Sequence, residues 1–429
     1  MRMKLALLSG LAGFLTSYGS VVAAQTGDQD LLTGDWSGQR VRMRDAGVDI
    51  NLNYVGELMH NTRGGTRDAT AYADQFTLSG DFDLDKVTNW PGASLHMIVS
   101  DRNGAQLDGK AQLGAIQETH EVFGRGPYAR LSRFYLQQAF FDGRLILKAG
   151  RADPLDFFPR LGEFFNISFS GSLTGYNTNG WYTYPIGEYF TSAVLQSDTS
   201  YFKLGAFDVN PNALEGSQGF KFVTTPGGKT GTLTIAEVGW TPRLGPQRLA
   251  GAYRSGTWHD SSDYADLLLD RSGRQMSAAT DTPLKRHSST GYYVMIDQAL
   301  SVHKSGRGLR AFFNLSQSDS DVNPVDQLMS TGFWYDGLFA SRPHDRLGLG
   351  IARNHVNDKL NTLTRRYMAA GNTPPFPLRS YERPVELNYD FAVIAGLHLT
   401  ADVQYVRDPG ALAGEASAVV WGLRTTLIF

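Results

Sequence analysis

The sequence predicts a transmembrane antiparallel β-barrel of about 16 strands, all-β in class, and three observations carry that prediction. Apolar and polar residues alternate with a period of two along much of the chain, long and short connections alternate between these runs, and the chain ends on an aromatic strand. In that last strand Trp421, Leu423, Leu427 and Phe429 share one phase, while Arg424 and Thr426 take the other. A strand in a bilayer needs this division, because one face meets acyl chains and the other lines the lumen.

Composition agrees. Of 429 residues 41% are hydrophobic and 47 are glycine, and the mean hydropathy is −0.27. After residue 24 no stretch approaches the roughly 18 to 20 continuous apolar residues of a spanning helix. Barrel strands carry only one apolar face, so they leave no such stretch. There is no cysteine, hence neither disulfide nor thiolate chemistry, and closed backbone hydrogen bonding is the expected source of stability for an exported chain of this kind. The formal charge of −2 gives no basic bias toward nucleic acid.

The elements follow in order. Arg2 and Lys4, an apolar run from Leu5 to Leu15 and Val22-Ala23-Ala24 read as a cleavable signal peptide over residues 1–24. Residues 25–47 form a polar periplasmic segment with a short helix, capped by Asp35 and ended by Gly47. The barrel domain occupies 48–429. Its strands are expected near 48–59, 74–85, 93–102, 130–141, 143–151, 189–197, 200–208, 232–241, 247–258, 289–300, 307–318, 328–338, 345–356, 383–392, 396–406 and 416–429. Links such as 103–129, 152–188, 209–231, 259–288 and 357–382 are long, and those at 88–92, 197–200, 242–246 and 302–306 are short. Asp142-Gly143 reads as a two-residue hairpin turn. Long loops at one end and short turns at the other place both termini on the periplasmic side. Thr232 to Thr241 shifts phase around Glu237, as a β-bulge would make it.

Phase also sorts the charges. Arg102 runs with Ser94, His96 and Ser100, and Arg133 with Tyr135 and Gln137, so both point into the lumen beside the long third link. Glu118 lies within that link as an acidic partner, and Arg151 with Asp153 opens the next long loop. The expected pore-lining set is Glu57, Asp81, Asp83, Arg254, Arg310, Arg346, Glu386, Asp390, Asp402 and Arg424. Guanidinium groups offer fixed donors and carboxylates accept from hydroxyls, a mixture suited to a neutral or weakly anionic polyhydroxy solute. The competing reading makes each arginine one half of a wall salt bridge. Trp181, in a loop rich in rings, is the candidate platform for stacking on a sugar, and Trp181→Ala is expected to lower flux; the alternative packs these rings against the wall. The nine histidines lack metal spacing, Asp319-Ser-Asp321-Val-Asn323 lacks the glycine and glutamate of a calcium loop, and Gly124-x-Gly126 is a turn, so no metal or cofactor is expected.

Val385-Glu386-Leu-Asn-Tyr-Asp390, Asp402-Val-Gln-Tyr-Val-Arg-Asp-Pro-Gly410 and Gly422-Leu-Arg424 before Phe429 resemble the end of the carbohydrate-selective porins of the OprB family. Ala401 stands where that family has proline, and Asp408 where it has asparagine. Arg133-Phe-Tyr-Leu-Gln-Gln138, Asp142 to Arg151 and Gly34 to Arg40 are similar as well, so the resemblance covers almost the whole mature chain. It implies an outer-membrane porin of a Gram-negative bacterium whose extracellular loops fold inward, passing monosaccharides and related small solutes by passive diffusion. It also implies that Phe429 is read by the barrel-assembly machinery. Lipid and small carbohydrates are the expected partners. Large porins are often homotrimers, and no sequence feature separates trimer from monomer. The alternatives are a channel for sugar acids or other hydroxylated carboxylates, an outer-membrane barrel hydrolase, and a closed adhesin or receptor barrel. Polar inward faces favour an open bore over the last of these.

Overall fold

The computed structural model describes residues 31–154, 157, 178–221, 227–303 and 307–429. The expected leader, and Phe158, Phe164, Phe165 and Tyr176 of the ring-rich loop, lie outside the described residues.

Among the described residues the strands are, in order, β1 (Val48–Arg63), β2 (Thr70–Asp83), β3 (Ala93–Gly104), β4 (Ala129–Phe140), β5 (Leu145–Ala152), β6 (Glu188–Gln196), β7 (Ser200–Val209), β8 (Gly231–Trp240), β9 (Arg243–Leu244), β10 (Leu249–Asp260), β11 (Tyr264–Asp270), β12 (Pro283–Arg286), β13 (Ser289–Ala299), β14 (Gly308–Ser318), β15 (Val325–Asp336), β16 (Arg346–Val356), β17 (Tyr381–Ile394), β18 (Leu397–Arg407) and β19 (Ala418–Ile428). β9 is a short ribbon at a turn, and β11 with β12 forms a separate hairpin in an extracellular loop. The other sixteen pair antiparallel in sequence, and β1 closes the sheet by pairing with both β2 and β19. Every expected strand is present.

The wall is turned inside out relative to a protein in water. Asn51, Glu57, Asn61, Ser100, Asn314, Ser316 and Gln404 are buried toward the lumen, while Phe76, Leu78, Leu195, Phe202, Leu204, Val238, Ile351, Leu387, Trp421 and Leu423 are exposed on the outside. Such an apolar belt is unfavourable in water by roughly 25 cal/mol for each Å², and acyl chains remove that cost.

Helix α1 (Gln39–Asp45) lies across the periplasmic end of the closing seam. Its Arg40 Nη2 donates to the Phe429 carbonyl at 2.8 Å, Leu32 N donates to Ile428 O at 2.8 Å, and Phe429 N donates to Leu52 O at 3.0 Å. The helix ends at Gly47 (φ 91°) as expected, but it starts after Asp35. Trp36, Ser37 and Gly38 hold left-handed φ values of 52°, 57° and 82°, so Asp35 contributes its backbone carbonyl to Arg40 N instead of a side-chain cap. The turn at 142–143 also differs: four residues link Phe140 to Leu145, with Phe141, Asp142 and Gly143 all at positive φ. The bulge expected at Glu237 is absent. β8 keeps register with β7 and β10, and Leu233 and Ile235 face inward because Phe157 and Trp181, from the link between β5 and β6, join the same apolar cluster.

Two more short helices bracket the wall, α2 (Leu84–Thr88) at the periplasmic end and α3 (Leu107–Ala111) after β3. Outside, α4 (Asp358–Ala369), capped by Asn357, sets Leu363 and Tyr367 against Leu268 and Met276. In the Asp319–Asn323 segment, Asp321 is paired with Lys359 and with Arg286 at 2.9 Å. Among the described residues no acidic or histidine cluster has a metal-binding arrangement.

Candidate constriction and solute path

The link between β3 and β4, residues 105–128, folds into the barrel. Backbone N–H groups carried away from water need partners, and wall carboxylates supply them. Glu57 of β1 accepts from Glu121 N at 3.0 Å and Val122 N at 3.3 Å. Glu382 of β17 accepts from Ile116 N at 2.6 Å and Gln117 N at 3.1 Å, and also from Gly410 N at 2.8 Å and Asn354 Nδ2 at 3.1 Å. Gln404 of β18 donates to Thr119 O at 3.0 Å. Both carboxyl groups are fully buried, so these bonds are shielded from water. Leu107, Ala111 and Leu113 then join the apolar cluster of the upper lumen.

At the edge of this loop the arginines gather. Arg102 Nε donates to Gln75 Oε1 at 2.7 Å, one Nη donates to the Gly124 carbonyl, and the guanidinium lies 5.5 Å from the Tyr184 ring centre. A Cβ on Gly124 would stand 2.8 Å from a Glu118 carboxylate oxygen and 3.9 Å from Arg102 Nη1, so Glu118, Gly124 and Arg102 converge on one point. Arg133 makes the salt bridge of the competing reading: Nε and Nη2 each reach an Asp153 oxygen at 3.0 Å, fully inside the wall. Arg151 donates to Gly187 O at 2.8 Å and to the Lys221 carbonyl, which ties two loops to β5. Arg130 was not expected. The β3–β4 register slips between Ile98 and Val99, so Ser132 and Arg133 are both buried and the phase reverses below them. Arg130 thereby turns inward, donating to the carbonyls of Ala213 and Leu214 at 3.1 and 2.8 Å.

The acids collect on the adjoining arc. Glu386 accepts from Asn388 Nδ2 and Asp402 from Gln404 Nε2, both at 2.9 Å. Asp390 accepts from His398 Nδ1 and Thr400 Oγ1, both at 2.8 Å, and Arg424 stands 3.8 Å from Glu57. Asp81 meets His96 at 2.5 Å. Asp83 has the lumen phase, but it sits at the periplasmic turn, where it caps α2 through Asp85 N at 3.1 Å. Farther round, Arg310 pairs with Asp297 and Arg346 with Asp336. Arg254 Nε donates to Tyr201 Oη at 3.1 Å, and Tyr201 and Tyr293 donate to Glu237 at 2.8 and 2.7 Å. Glu382 shares its phase with Glu386 and Asp390 but lies one residue before the strand expected at 383–392, so the sequence pattern does not single it out.

The comparisons with known proteins agree with this architecture. The family model described as carbohydrate-selective porin, OprB family, matches residues 67–429. The chain belongs to the OprB family. Porin B of Pseudomonas aeruginosa is 33% identical over 416 residues, which cover 93% of this chain and 91% of that one. The putative porin QuiX of Acinetobacter baylyi is 27% identical over 94% of each. The high-pH structure of Pseudomonas putida OprB superposes with a TM-score of 0.89 at 30% identity, covering 94% of this chain and 99% of the other. This protein is therefore a β-barrel porin of the Gram-negative outer membrane.

In this porin Trp181 is 1% exposed. Its ring meets Trp258 edge-on at 5.6 Å and Tyr293 at 6.2 Å, and those two rings stack on each other at 6.3 Å. Neither face is open to a sugar, so the wall-packing alternative describes it. The expected sign for Trp181→Ala changes accordingly. Removing a buried tryptophan costs about 3–5 kcal/mol, which here falls on the loop's attachment, and the variant is expected to show higher and noisier single-channel conductance instead of lower flux.

Two buried groups in the inserted loop respond to pH in opposite directions. Burial pushes the Asp108 carboxyl up to about 6, despite hydrogen bonds from Thr119 N and Oγ1 at 2.9 and 2.7 Å. Burial pushes His120, which accepts from Leu107 N at 3.3 Å, down to about 4. Ionised Asp108 opposes the folded loop above about pH 6, and that opposition fades as the pH falls to its unfolded value near 4. His120 acts in the opposite direction: its neutral form supports the loop, and that support is lost between about 6.5 and 4. The pair titrates through one window with opposite signs and nearly cancels. Asp108→Asn is expected to unmask His120, so hydrogen-exchange protection over residues 107–120, corrected for the intrinsic rate at each pH, should fall on acidification from pH 7 to 4. In His120→Gln the same protection should rise over that range; identical protection profiles for both variants would refute the assignment.

Proposed function

We propose that this porin passes neutral polyhydroxy solutes of monosaccharide size by passive diffusion, through a constriction bounded by Arg102, Glu118 and the inserted loop. The observation that carries the reading is the tethering of residues 105–128 to Glu57, Glu382 and Gln404. A loop held on three wall strands narrows the bore at a fixed height. Arg102, 2% exposed, holds the Gly124 carbonyl from behind, and the partly exposed Glu118 carboxylate beside it accepts from solute hydroxyls. Arg133, Asp153, Arg151 and Trp181 act one step back, holding the loops that frame this path. Channels for hydroxylated carboxylates are the second reading, favoured by the guanidiniums of Arg102, Arg130, Arg133 and Arg151 on neighbouring strands β3 to β5.

Liposome swelling with monosaccharides, disaccharides and sugar acids of matched size tests this. Fast entry of neutral monosaccharides with exclusion of disaccharides is the expected result. Faster entry of the sugar acids would select the second reading, and indifference to size would refute both.

A further inference from the structure

Three arginines unrelated to the lumen stand on the outer surface at the extracellular ends of adjacent strands: Arg353 on β16, Arg383 on β17 and Arg407 on β18. Their odd-numbered phase is the outward one, shared by Ile351, Leu387 and Tyr405, which are 44%, 46% and 42% exposed. Each arginine therefore sits directly above the apolar belt, two or four residues along its own strand.

Arg383 lies opposite Arg407 in the β17–β18 register. Like charges facing each other across a ladder destabilise it. Asp408 reaches Arg383 Nη1 at 2.8 Å and Arg407 Nε at 3.6 Å, so one carboxylate serves two guanidiniums. Arg353 approaches from the other side, 4.3 Å from the Tyr381 ring centre, with Arg383 at 5.5 Å from the same ring. The ring between them fixes both planar groups at the rim, which lowers the entropy lost on binding an anion. Side chains of Arg383 and Arg407 remain 42% and 63% exposed. The cluster as a whole carries an excess of positive charge around a single acid.

We propose that Arg353, Arg383 and Arg407 form a docking surface for the phosphorylated head group of an outer-leaflet glycolipid, with its acyl chains on Ile351, Leu387 and Tyr405. Two features select this occupant over a free anion. The guanidiniums face the bilayer and not the bore, and the apolar row below them continues the surface that acyl chains cover. Planar, multiply donating groups suit phosphate oxygens better than a single ammonium would. The site is independent of the solute path, so its failure would leave the proposed function intact.

Native mass spectrometry of the full-length porin in detergent, titrated with diphosphorylated lipid A, provides the test. A variant with R353Q, R383Q and R407Q together is expected to bind lipid A at least about tenfold more weakly, since each basic residue near a charged lipid surface contributes substantially. The corresponding triple lysine variant, which keeps the charge, should lose less. Sugar flux should be unchanged in both. The single R407Q variant gives a smaller loss with the same readout should the triple variants fail to assemble. Unchanged affinity in a folded glutamine variant would overturn the proposal. Equal loss toward a phosphate-free glycolipid, or full competition by millimolar inorganic phosphate, would also overturn it.

Discussion

Replacing Glu382 by alanine is expected to raise single-channel conductance and to admit disaccharides that the native porin excludes. The carboxylate is fully buried and receives four hydrogen bonds, two of them from Ile116 and Gln117 of the inserted loop. A buried donor left without a partner costs about 1–3 kcal/mol. Losing the two loop bonds alone therefore amounts to about 3 kcal/mol, enough to convert a rarely open loop into one that is frequently displaced. The barrel itself should stay closed, because no wall ladder bond uses this side chain. Single-channel recording and liposome swelling report the change, while heat-modifiable mobility in detergent confirms that the barrel is intact. Glu382→Gln, which keeps an acceptor oxygen, should fall between the two. Native conductance in Glu382→Ala would show that the carboxylate does not hold the loop.

Arg133→Ala is expected to have the largest effect on stability. The Arg133 side chain is 4% exposed and Asp153 is fully covered, and the pair makes two parallel hydrogen bonds of 3.0 Å. Removing one member of a buried pair typically costs about 3–5 kcal/mol, because the remaining charge loses its partner. Asp153 stands just past β5, so the loop that starts there should loosen with it. A fall in the thermal transition followed by circular dichroism is expected for Arg133→Ala, and Arg133→Met with Asp153→Asn together should recover much of it. If the double variant is no better than the single one, repulsion of a stranded carboxylate is not the cause.

The fold was legible in the sequence because a bilayer imposes a strict period on every strand. Lumen and lipid demand opposite chemistry, so one residue of error in register would have put Phe76 or Leu387 inside and Glu57 or Glu386 in lipid. Helix α4 and the β11–β12 hairpin were not legible, since loops outside the membrane are freed from that alternation. Within the site, phase alone puts Arg102, Arg254 and Arg424 on the inward face, and all three side chains are buried. Phase failed at Arg130, where the bulge at Ser132 reverses the strand's two faces, a backbone event that side-chain patterning does not announce. It also gave no warning that Glu57 binds backbone amides of a distant loop, because that partnership spans 64 residues of chain. Trp181 illustrates a different limit: a ring in a long loop reads equally as a platform or as packing, and only the positions of Trp258 and Tyr293 decide.

The placement of the constriction can be probed directly because the chain contains no cysteine. A single cysteine introduced at Glu118, beside Gly124 and Arg102, would be the only thiol in the porin. A charged methanethiosulfonate reagent added during single-channel recording should then reduce the current in steps, while a cysteine at Asp358, which is 82% exposed on the extracellular helix, should react without effect. Steady current after verified modification of the Glu118 site, or equal block at Asp358, would contradict a constriction at that point.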